Sequence, residues 1–403
     1  MSTSLLYHAF GIRGYRYVAT DYLEGEIHFR VVQDLPDCCC SVCGSTHVSP
    51  RGTVERTFRS LPIGNRPVWV ELPIPRVECH DCGLIRQVIV PFAEPRCHYT
   101  SSFARYALEL ASYMTIQDVA HHLGVSWDVI KDIVKTDLQR HFAKPKLKHL
   151  RQLAIDEICI GKGHRYLTLV LDLESGAVVY VGNGKGSDSL DPFWRRLKRS
   201  GARIEAVATD MSAAFIKAVR QRWPEATLVF DRFHVMKLFN DKLTSLRRQL
   251  FLQATEEGKR VLKGVRWLLL KRRGHLDDSK GERERLDEAL RLNEVLALAY
   301  YLKEELAEFW EQEDEEEAQA FLLDWLARAE ASGIKILEGV AKTLREHALG
   351  LLAYYDYPIS TGPLEGTNNK VKTMQRQAYG YRDQEFFRLK IYALHRSKYK
   401  LVG

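Results

Sequence analysis

The chain has 403 residues, 45% of them hydrophobic and 28% charged, which predicts two to four folding units and excludes a collagen-like, rod-like or wholly disordered protein. No run approaches the roughly 20 apolar residues of a membrane-spanning helix, and the first residues lack a secretory signal, so we expect a cytoplasmic protein without a membrane partner. The formal net charge of +7 is modest for this length and only hints at a polyanionic partner.

Seven of the eight cysteines lie in the first hundred residues. Two C-x-x-C pairs, Cys40–Cys43 and Cys79–Cys82, are each followed by glycine, and this repeat is typical of a tetrahedral four-cysteine zinc site. We therefore predict one structural Zn²⁺ in a ribbon-like domain of short strands and turns over residues 1–100. The rival interpretation is a set of reduced, half-buried cysteines. Because Cys38 and Cys39 directly precede the first pair, the spacing alone leaves the choice of ligands open. Four neighbours could each replace one ligand: Cys97, His98, His47 or His80.

A short helical motif follows between Thr115 and Val134. Gly124 supplies a turn, and Ser126 is a good N-cap for the second helix. Apolar or small residues fall where two helices crossing at a steep angle need them: Val119, Ala120, Leu123, Val125, Ile130 and Ile133. The pattern predicts a helix-turn-helix DNA-binding domain over residues 101–148. Three residues of its second helix would face DNA: Trp127, Lys131 and Lys135. Two aspartates share that outer face and would oppose phosphate, so an ordinary helical hairpin is the alternative.

The pattern changes from about residue 151. Three β-branched or leucine-rich runs are followed by alternating helices and strands, and this element order predicts an RNase H-like α/β fold. Asp156 lies within the first strand and Asp210 at the end of the fourth, and these two strands are neighbours in such a sheet. A carboxylate inside an apolar strand carries a desolvation cost unless it is paired or binds a metal, and hard oxygen ligands suit Mg²⁺. For Asp210 alone, a helix N-cap is the alternative.

A third carboxylate, Glu365, lies far downstream. Residues 360–363 contain helix start signals, which place Glu365 in the first turn of a helix. Three side chains share its helix face at i+4, i+7 and i+11: Asn369, Lys372 and Arg376. A metal-ligating acid and two phosphate-binding cations would then lie together. A glutamate that merely favours the positive end of the helix dipole is the alternative.

Most of the basic surplus is found in this C-terminal segment. Residues 358–403 contain nine basic and three acidic residues, so their excess of six is nearly the whole surplus of the chain. We therefore expect a localised DNA-facing surface.

The interval between Asp210 and Glu365 spans 155 positions. Residues from about 237 to 355 show helical apolar spacing with few strand signals. Their basic groups, at 247–248 and 271–273, are expected on a different side from the acidic run 311–317, which we interpret as a solvated face. The remaining predicted domains are a first catalytic part, an all-helical domain and a C-terminal catalytic part with the basic tail: 149–236, 237–356 and 357–403.

Taken together, the motifs are similar to a known family. Along the chain run the C-x-x-C pairs, the helix-turn-helix, Ile-Asp156-Glu, Thr-Asp210-Met, Asp231-Arg-Phe-His234-Val and Gly-Pro-Leu-Glu365-Gly-Thr-Asn-Asn-Lys. This succession resembles the DDE transposases of bacterial insertion sequences, specifically the ISL3 family, over essentially the whole chain. The resemblance implies that Asp156, Asp210 and Glu365 are the catalytic acids. One departure is Ser41, where the family commonly has proline.

The resemblance implies an enzyme that binds the terminal inverted repeats of an insertion sequence, cleaves the DNA and transfers strands to a double-stranded target. Its three acids would hold two Mg²⁺ (or Mn²⁺) ions per active site, which clamp the attacking and leaving oxygens. A homodimer or higher oligomer on DNA is expected because two element ends must meet, and the nucleoid is the expected location.

The resemblance also implies that the long helical segment is an insertion in the nuclease fold. Asp231 and His234 follow the fifth strand and could order the active site, whereas an N-cap and a half-buried histidine are the alternative. Trp267 resembles the insertion-domain tryptophan that related enzymes stack on an unpaired base, and core packing is its alternative.

Two rival functions use the same modules. One is a transposase-derived zinc and helix-turn-helix regulator that binds DNA without cleaving it, and the other is a structure-selective nuclease that does not join strands. The presence of all three acids favours a cleaving enzyme over the regulator.

Overall fold

The structure is a computed structural model that describes residues 5–161 and 163–395. The chain divides into two compact units, Met1–Arg140 and His141–Gly403. None of the helices in the described ranges is long and apolar enough to cross a membrane. The end of the predicted basic tail, with Arg396, Lys398 and Lys400, lies outside the described residues.

A five-stranded sheet forms the centre of the first unit. Its strands are β1 (Arg16–Leu23), β2 (Glu26–Val32), β3 (Val48–Ile63), β4 (Arg66–Cys79) and β5 (Ile85–Gln87). The order is β1-β2-β4-β3, with β5 also on β4, and only the β2–β4 pair is parallel. We predicted short strands around the cysteines, but β3 and β4 form one long hairpin. The long strand persists because alternate residues along β4 face the core: Val68, Val70, Leu72 and Ile74.

The helices of this unit are α1 (Leu5–Phe10), α2 (Ser101–Leu110), α3 (Ile116–Leu123) and α4 (Trp127–Phe142). The α3–α4 pair has the predicted helix-turn-helix form. The Thr115 side chain caps α3 by accepting from the Asp118 amide, and Gly124 ends the helix at φ +62°. Ser126 Oγ accepts from the Val129 amide at 3.4 Å, as an N-cap of α4 should. The predicted apolar positions are buried, except Val125, which is half-buried.

Arg59, which the sequence did not single out, joins the sheet to this helical motif. Its guanidinium is buried, lies over the rings of Trp69 and Phe103, and donates to the backbone carbonyls of Val68 at 3.1 Å and Leu123 at 3.0 Å. Because Leu123 ends α3, this single side chain fixes the start of the turn against β3.

A second five-stranded sheet lies in the second unit. Its strands are β6 (Gln152–Gly161), β7 (Arg165–Asp172), β8 (Val178–Asn183), β9 (Ala206–Thr209) and β10 (Thr227–Phe230). The order is β10-β9-β6-β7-β8; β6, β7 and β8 are antiparallel, whereas β9 and β10 continue the sheet in parallel with β6. Helices α5 (Asp191–Ser200) and α6 (Ala213–Arg222) connect the later strands. This is the element succession that the sequence predicted.

The chain then continues almost entirely in helices, as predicted. They are α7 (Arg232–Gln253), α8 (Glu256–Gly264), α9 (Glu282–Arg291), α10 (Glu294–Leu306), α11 (Glu315–Ala331), α12 (Lys335–Glu346) and α13 (Ala348–Leu352). Their apolar faces form one core around large buried aromatic residues. The core extends to β10, where a Cβ at Gly350 would lie 2.4 Å from the Phe230 ring, so only glycine permits this approach.

Basic and acidic groups of the helical segment do not separate as predicted. Glu311 pairs with Arg272 at 3.3 Å and with Arg232 at 3.4 Å. The expectation was wrong because folding brings the start of the acidic run against arginines that are distant in sequence.

Two final helices return to the second sheet. They are α14 (Gly362–Gln377) and α15 (Gln384–Tyr392). Gln375 of α14 donates to the Ile160 carbonyl of β6 at 2.5 Å, and the Val181 amide of β8 donates to the Tyr392 hydroxyl at 3.1 Å. The sheet that holds Asp156 therefore also receives the helix that holds Glu365.

Candidate active site, zinc site and DNA-binding residues

Four cysteines converge beside the β3–β4 hairpin. The sulfur atoms of Cys40, Cys43, Cys79 and Cys82 all lie within 4.8 Å of one another. Cys40 is 3.7 Å from Cys82, and Cys43 is 3.5 Å from Cys79, sulfur to sulfur. Zn–S bonds of about 2.3 Å in a tetrahedron separate the sulfurs by about 3.8 Å. The arrangement therefore suits the predicted four-thiolate zinc site.

The two C-x-x-C turns share one backbone geometry. The Cys40 amide donates to the Ser45 carbonyl at 2.8 Å, and the Cys79 amide donates to the Leu84 carbonyl at 3.0 Å. Amide groups also point at the sulfurs: those of Cys43 and Val42 lower the pKa of the Cys40 thiol to about 6, and that of Cys82 lowers the pKa of Cys79. Each turn thus favours the thiolate of its first cysteine. Although the amides of Ser45 and Leu84 act in the same sense on Cys43 and Cys82, the neighbouring cysteines raise the pKa of these two thiols, and a bound cation would offset that repulsion.

The alternative ligands have other partners or lie outside this group. The His80 ring contacts the Ser49 hydroxyl at 2.7 Å, and His47 lies 3.4 Å from the Asp81 carboxylate. Within the described ranges, the four-cysteine group is the only set of three or more potential ligands gathered within 4.8 Å. Cys38, Cys39, Cys97 and His98 are not members of it.

Asp156 and Asp210 lie at matching positions of two neighbouring strands. In the parallel β6–β9 pair, Ile155 is in register with Thr209. Asp156 is the next residue within β6, and Asp210 directly follows the end of β9. Both side chains are half-buried. The element order predicted this juxtaposition, since β6 and β9 are neighbours in the sheet.

The electrostatic environment of Asp156 disfavours its charged form. Burial raises the pKa of its carboxyl group, and the negative charge of Asp210 adds to that effect; the Glu157 amide, the His234 ring and the Asn368 side chain act in the opposite direction. Burial and Asp210 also raise the pKa of Glu157. Carboxyl groups that disfavour each other's charge in this way would gain from a bound cation.

Asn368 is the residue of α14 that touches Asp156. Its Nδ2 donates to Asp156 Oδ2 at 2.7 Å, and the Glu157 amide donates to Asp156 Oδ1 at 2.7 Å. Sequence reasoning selected its neighbour Asn369, which is exposed. The i+4 spacing from Glu365 identified the solvent face of the helix, whereas i+3 would have identified the side that faces β6.

Asp231 links two helices. Its Oδ1 accepts from the Phe233 amide at 3.1 Å, which caps α7, and its Oδ2 accepts from the amide of Thr361 at 3.2 Å and from the Thr361 hydroxyl. Thr361 is the N-cap of α14. The N-cap alternative is thus correct, and the same carboxylate also holds the start of the Glu365 helix. His234 is half-buried and close enough to Asp156 to favour its ionised form.

Glu365 lies in the first turn of α14, as predicted, with its side chain exposed. The other predicted members of its face are exposed too: Asn369, Lys372 and Arg376. The three acids are not gathered within 4.8 Å of one another. Not all of the basic segment is a surface, because Lys390 of α15 is half-buried and burial lowers its pKa.

Trp267 is 63% exposed, so the core-packing alternative is wrong. The Arg266 guanidinium lies over its ring, 4.5 Å from the centroid. The turn after Trp267 is fixed by Lys303. This side chain is 2% exposed and donates to the carbonyls of Leu269 at 3.1 Å and Lys271 at 3.0 Å. An aromatic ring is therefore presented to solvent by an ordered segment.

The predicted DNA-facing residues of α4 differ in exposure. Trp127 is exposed, whereas Lys131 and Lys135 are half-buried. The Lys131 ammonium lies 5.7 Å from the centroid of the Trp127 ring. The prediction that these three residues face DNA stays a prediction, with Trp127 as the exposed member.

Comparisons with known proteins match both units. A family model described as "Transposase" matches residues 153–391. Models described as "Helix-turn-helix domain of transposase family ISL3" and "zinc-finger of transposase IS204/IS1001/IS1096/IS1165" match residues 88–137 and 36–82.

Whole-chain relatives agree with these models. The transposase for insertion sequence element IS1001 of Bordetella parapertussis is 33% identical over 358 residues, covering 88% of each chain. The transposase for IS1557 of Mycobacterium tuberculosis is 29% identical over 374 residues, covering 86% of this chain and 83% of the relative. Among solved structures, the Drosophila P element transposase strand transfer complex matches 75% of this chain and 94% of that chain, with 11% identity and a TM-score of 0.42.

The sequence relatives and family models define the class of protein as a DNA transposase with a zinc ribbon and a DNA-binding helix-turn-helix. The chain belongs to the ISL3 family of insertion-sequence transposases.

Proposed function

We propose that this transposase binds the terminal inverted repeats of its insertion sequence and catalyses metal-dependent cleavage and strand transfer at Asp156, Asp210 and Glu365. The observation that supports this most is the meeting of three elements at one sheet edge. Asp156 of β6 and Asp210, which follows β9, lie at matching positions of adjacent strands, and the helix of Glu365 is bonded to Asp156 through Asn368.

The fold that we propose for the second unit is RNase H-like. Three antiparallel strands followed by two parallel ones, in the order β10-β9-β6-β7-β8, support it. Residues 237–356 would be an all-helical insertion between the second and third acids, with 149–236 and 357–403 as the flanking catalytic parts. The 1–100 and 101–148 segments would be the zinc and helix-turn-helix domains.

The three acids would hold two Mg²⁺ (or Mn²⁺) ions. Their oxygen donors suit these hard cations, and so does the buried Asn368 Oδ1, which has no hydrogen-bond partner. When bound, such ions activate a water or a 3′-hydroxyl for in-line attack and stabilise the leaving oxygen. The protein supplies fixed positions for these acids. The register of β6 and β9 places Asp156 and Asp210 opposite each other, and Asp231 holds the start of the helix that contains Glu365.

DNA binding would use both units. Trp127, Lys131 and Lys135 of α4 would contact the element ends, with the zinc site stabilising their unit. Three residues that follow Glu365 on its helix face would contact phosphates near the cleavage site: Asn369, Lys372 and Arg376. Trp267 would stack on an unpaired base. A homodimer or higher oligomer would bring two ends together.

A cleavage and joining assay tests this function. Purified protein, labelled element ends and Mg²⁺ should give cleaved and joined products, and Asp156→Asn and Glu365→Gln should bind the ends without cleaving them. Cleavage without joining would favour a nuclease, binding without cleavage by the wild type would favour a regulator, and active variants would refute the assigned acids.

A further inference from the structure

We propose that Asn368 belongs to the active site in two ways: its Nδ2 fixes the orientation of Asp156, and its Oδ1 supplies a neutral oxygen ligand to the divalent cation. The inference rests on the proposed function, because it concerns the same cation. It adds a residue outside the three acids.

The first support is an unpartnered polar atom at a buried position. Asn368 is only 6% exposed, and its Oδ1 has no hydrogen-bond partner. Buried amide oxygens nearly always accept a hydrogen bond or bind a cation, since leaving one unpaired costs about 1–3 kcal/mol. The position of this oxygen therefore calls for a donor or a cation.

The second support is the orientation of the amide. Because Nδ2 bonds to Asp156 Oδ2, the planar amide places its own oxygen beside the carboxylate. The opposite orientation would set two acceptors against each other. Each Asp156 oxygen accepts one hydrogen bond, from Asn368 or from the Glu157 amide, and keeps a lone pair for a metal.

The third support is charge. Asp156 and Asp210 lie at matching positions of adjacent strands, with Glu157 next to Asp156 in the chain, so negative charges already repel one another at this edge. A fourth carboxylate would add to the repulsion in the metal-free protein, whereas an amide oxygen adds a ligand without a charge. Asparagine therefore suits this position better than aspartate.

The fourth support is rigidity. Asn368 and Gln375 are seven positions apart on one face of α14, and both bond to β6, at Asp156 and at the Ile160 carbonyl. Asp231 fixes the N-terminal end of the same helix through Thr361. A ligand held at three points along its helix is positioned before the cation binds.

Mn²⁺ binding to the full-length, zinc-loaded protein tests the proposal without DNA or catalysis. Free Mn²⁺ is measured by its EPR signal during titration. Asn368→Leu removes both amide functions at similar volume. Gln377→Leu is the matched control, because it removes an exposed amide from the same helix. Asp156→Asn reports on the proposed metal site as a whole.

We expect Asn368→Leu to weaken Mn²⁺ binding at least about tenfold, a size typical of residues that support metal ligands, and Gln377→Leu to bind like the wild type. Wild-type affinity in Asn368→Leu would overturn the inference, provided that Asp156→Asn loses Mn²⁺. If the wild type binds no Mn²⁺ that depends on Asp156, the proposed function fails as well, so the two failures are distinguishable.

Asn368→Asp serves if the leucine variant does not fold. It keeps an oxygen at the same place, so we expect Mn²⁺ affinity at or above that of the wild type, together with lower metal-free thermal stability from repulsion of Asp156. Loss of Mn²⁺ binding in a folded Asn368→Asp protein would contradict the ligand role.

Discussion

Asp231 and Thr361, 130 residues apart, are joined by a buried carboxylate that accepts from both the amide and the hydroxyl of the threonine. The other oxygen of this carboxylate caps α7. One side chain therefore sets the start of the helical segment and the start of the Glu365 helix.

Asp231→Asn should break the link between the start of α7 and the start of α14. The amide can still cap α7 with its oxygen, but its NH₂ group would face the donors of Thr361, so we expect a loss of about 1–3 kcal/mol in the free energy of unfolding. Strand cleavage should fall more than DNA binding, because Glu365 is displaced. Urea unfolding and the cleavage assay measure both effects, with exposed Asp241→Asn of α7 as the control. Unchanged cleavage by Asp231→Asn would contradict the positioning role.

Cys79→Ser should remove the zinc. We expect about one zinc per chain in the wild type and none in this variant, with weaker binding to the element ends, because the same unit contains the helix-turn-helix. Cys39→Ser, next to the cluster but outside it, should keep its zinc. Elemental analysis and gel-shift titration provide the measurements. Full zinc content in Cys79→Ser would mean that other ligands hold the metal.

Lys303→Met should loosen the turn behind Trp267. Two carbonyls lose their donor, so we expect a loss of about 1–3 kcal/mol in the free energy of unfolding. Exposed Lys342→Met should have little effect.

This difference should depend on pH. Burial lowers the pKa of Lys303 below its usual 10.5, although Glu304 at 2.6 Å opposes the shift. Between the lowered pKa and 10.5 the unfolded chain binds more protons at this site, so wild-type stability gains with rising pH. The advantage of the wild type over Lys303→Met should therefore increase as the pH rises through the lowered pKa towards 10.5. A shrinking advantage in urea unfolding would contradict the lowered pKa of Lys303.

Trp267→Ala should leave stability within about 0.5 kcal/mol of the wild type, because the ring is mostly exposed. If the ring stacks on an unpaired base, cleavage of the element ends should fall by about tenfold or more, since stacking contributes about 1–3 kcal/mol per base. Leu292→Ala removes a side chain of similar exposure, 62%, and should cleave normally. Wild-type cleavage by Trp267→Ala removes the stacking role.

The elements that sequence predicted best are those with local signals. The C-x-x-C spacing identified the four cysteines that cluster, Gly124 and Ser126 marked the helix-turn-helix, and apolar runs located β6, which contains Asp156, and β9, which Asp210 follows. Each of these signals depends on residues that are neighbours in the chain.

The residues that the sequence missed depend on distant partners. Arg59 is meaningful only because it reaches Leu123, and Lys303 because it reaches the turn at 269–271. Asn368 was passed over for Asn369 because helical spacing alone cannot say which face of α14 meets β6. The pairing of Glu311 with Arg272 was likewise hidden by their separation in sequence.

We propose that Asp210 ligates the catalytic cation at the edge shared with Asp156. The most direct test is strand cleavage by Asp210→Cys in Mg²⁺ and in Mn²⁺, because Mg²⁺ requires hard oxygen ligands whereas Mn²⁺ tolerates softer ones. In protein that retains zinc and DNA binding, we predict no cleavage with Mg²⁺ and partial recovery with Mn²⁺. Equal activity with the two metals, or equal loss with both, would contradict direct ligation by Asp210.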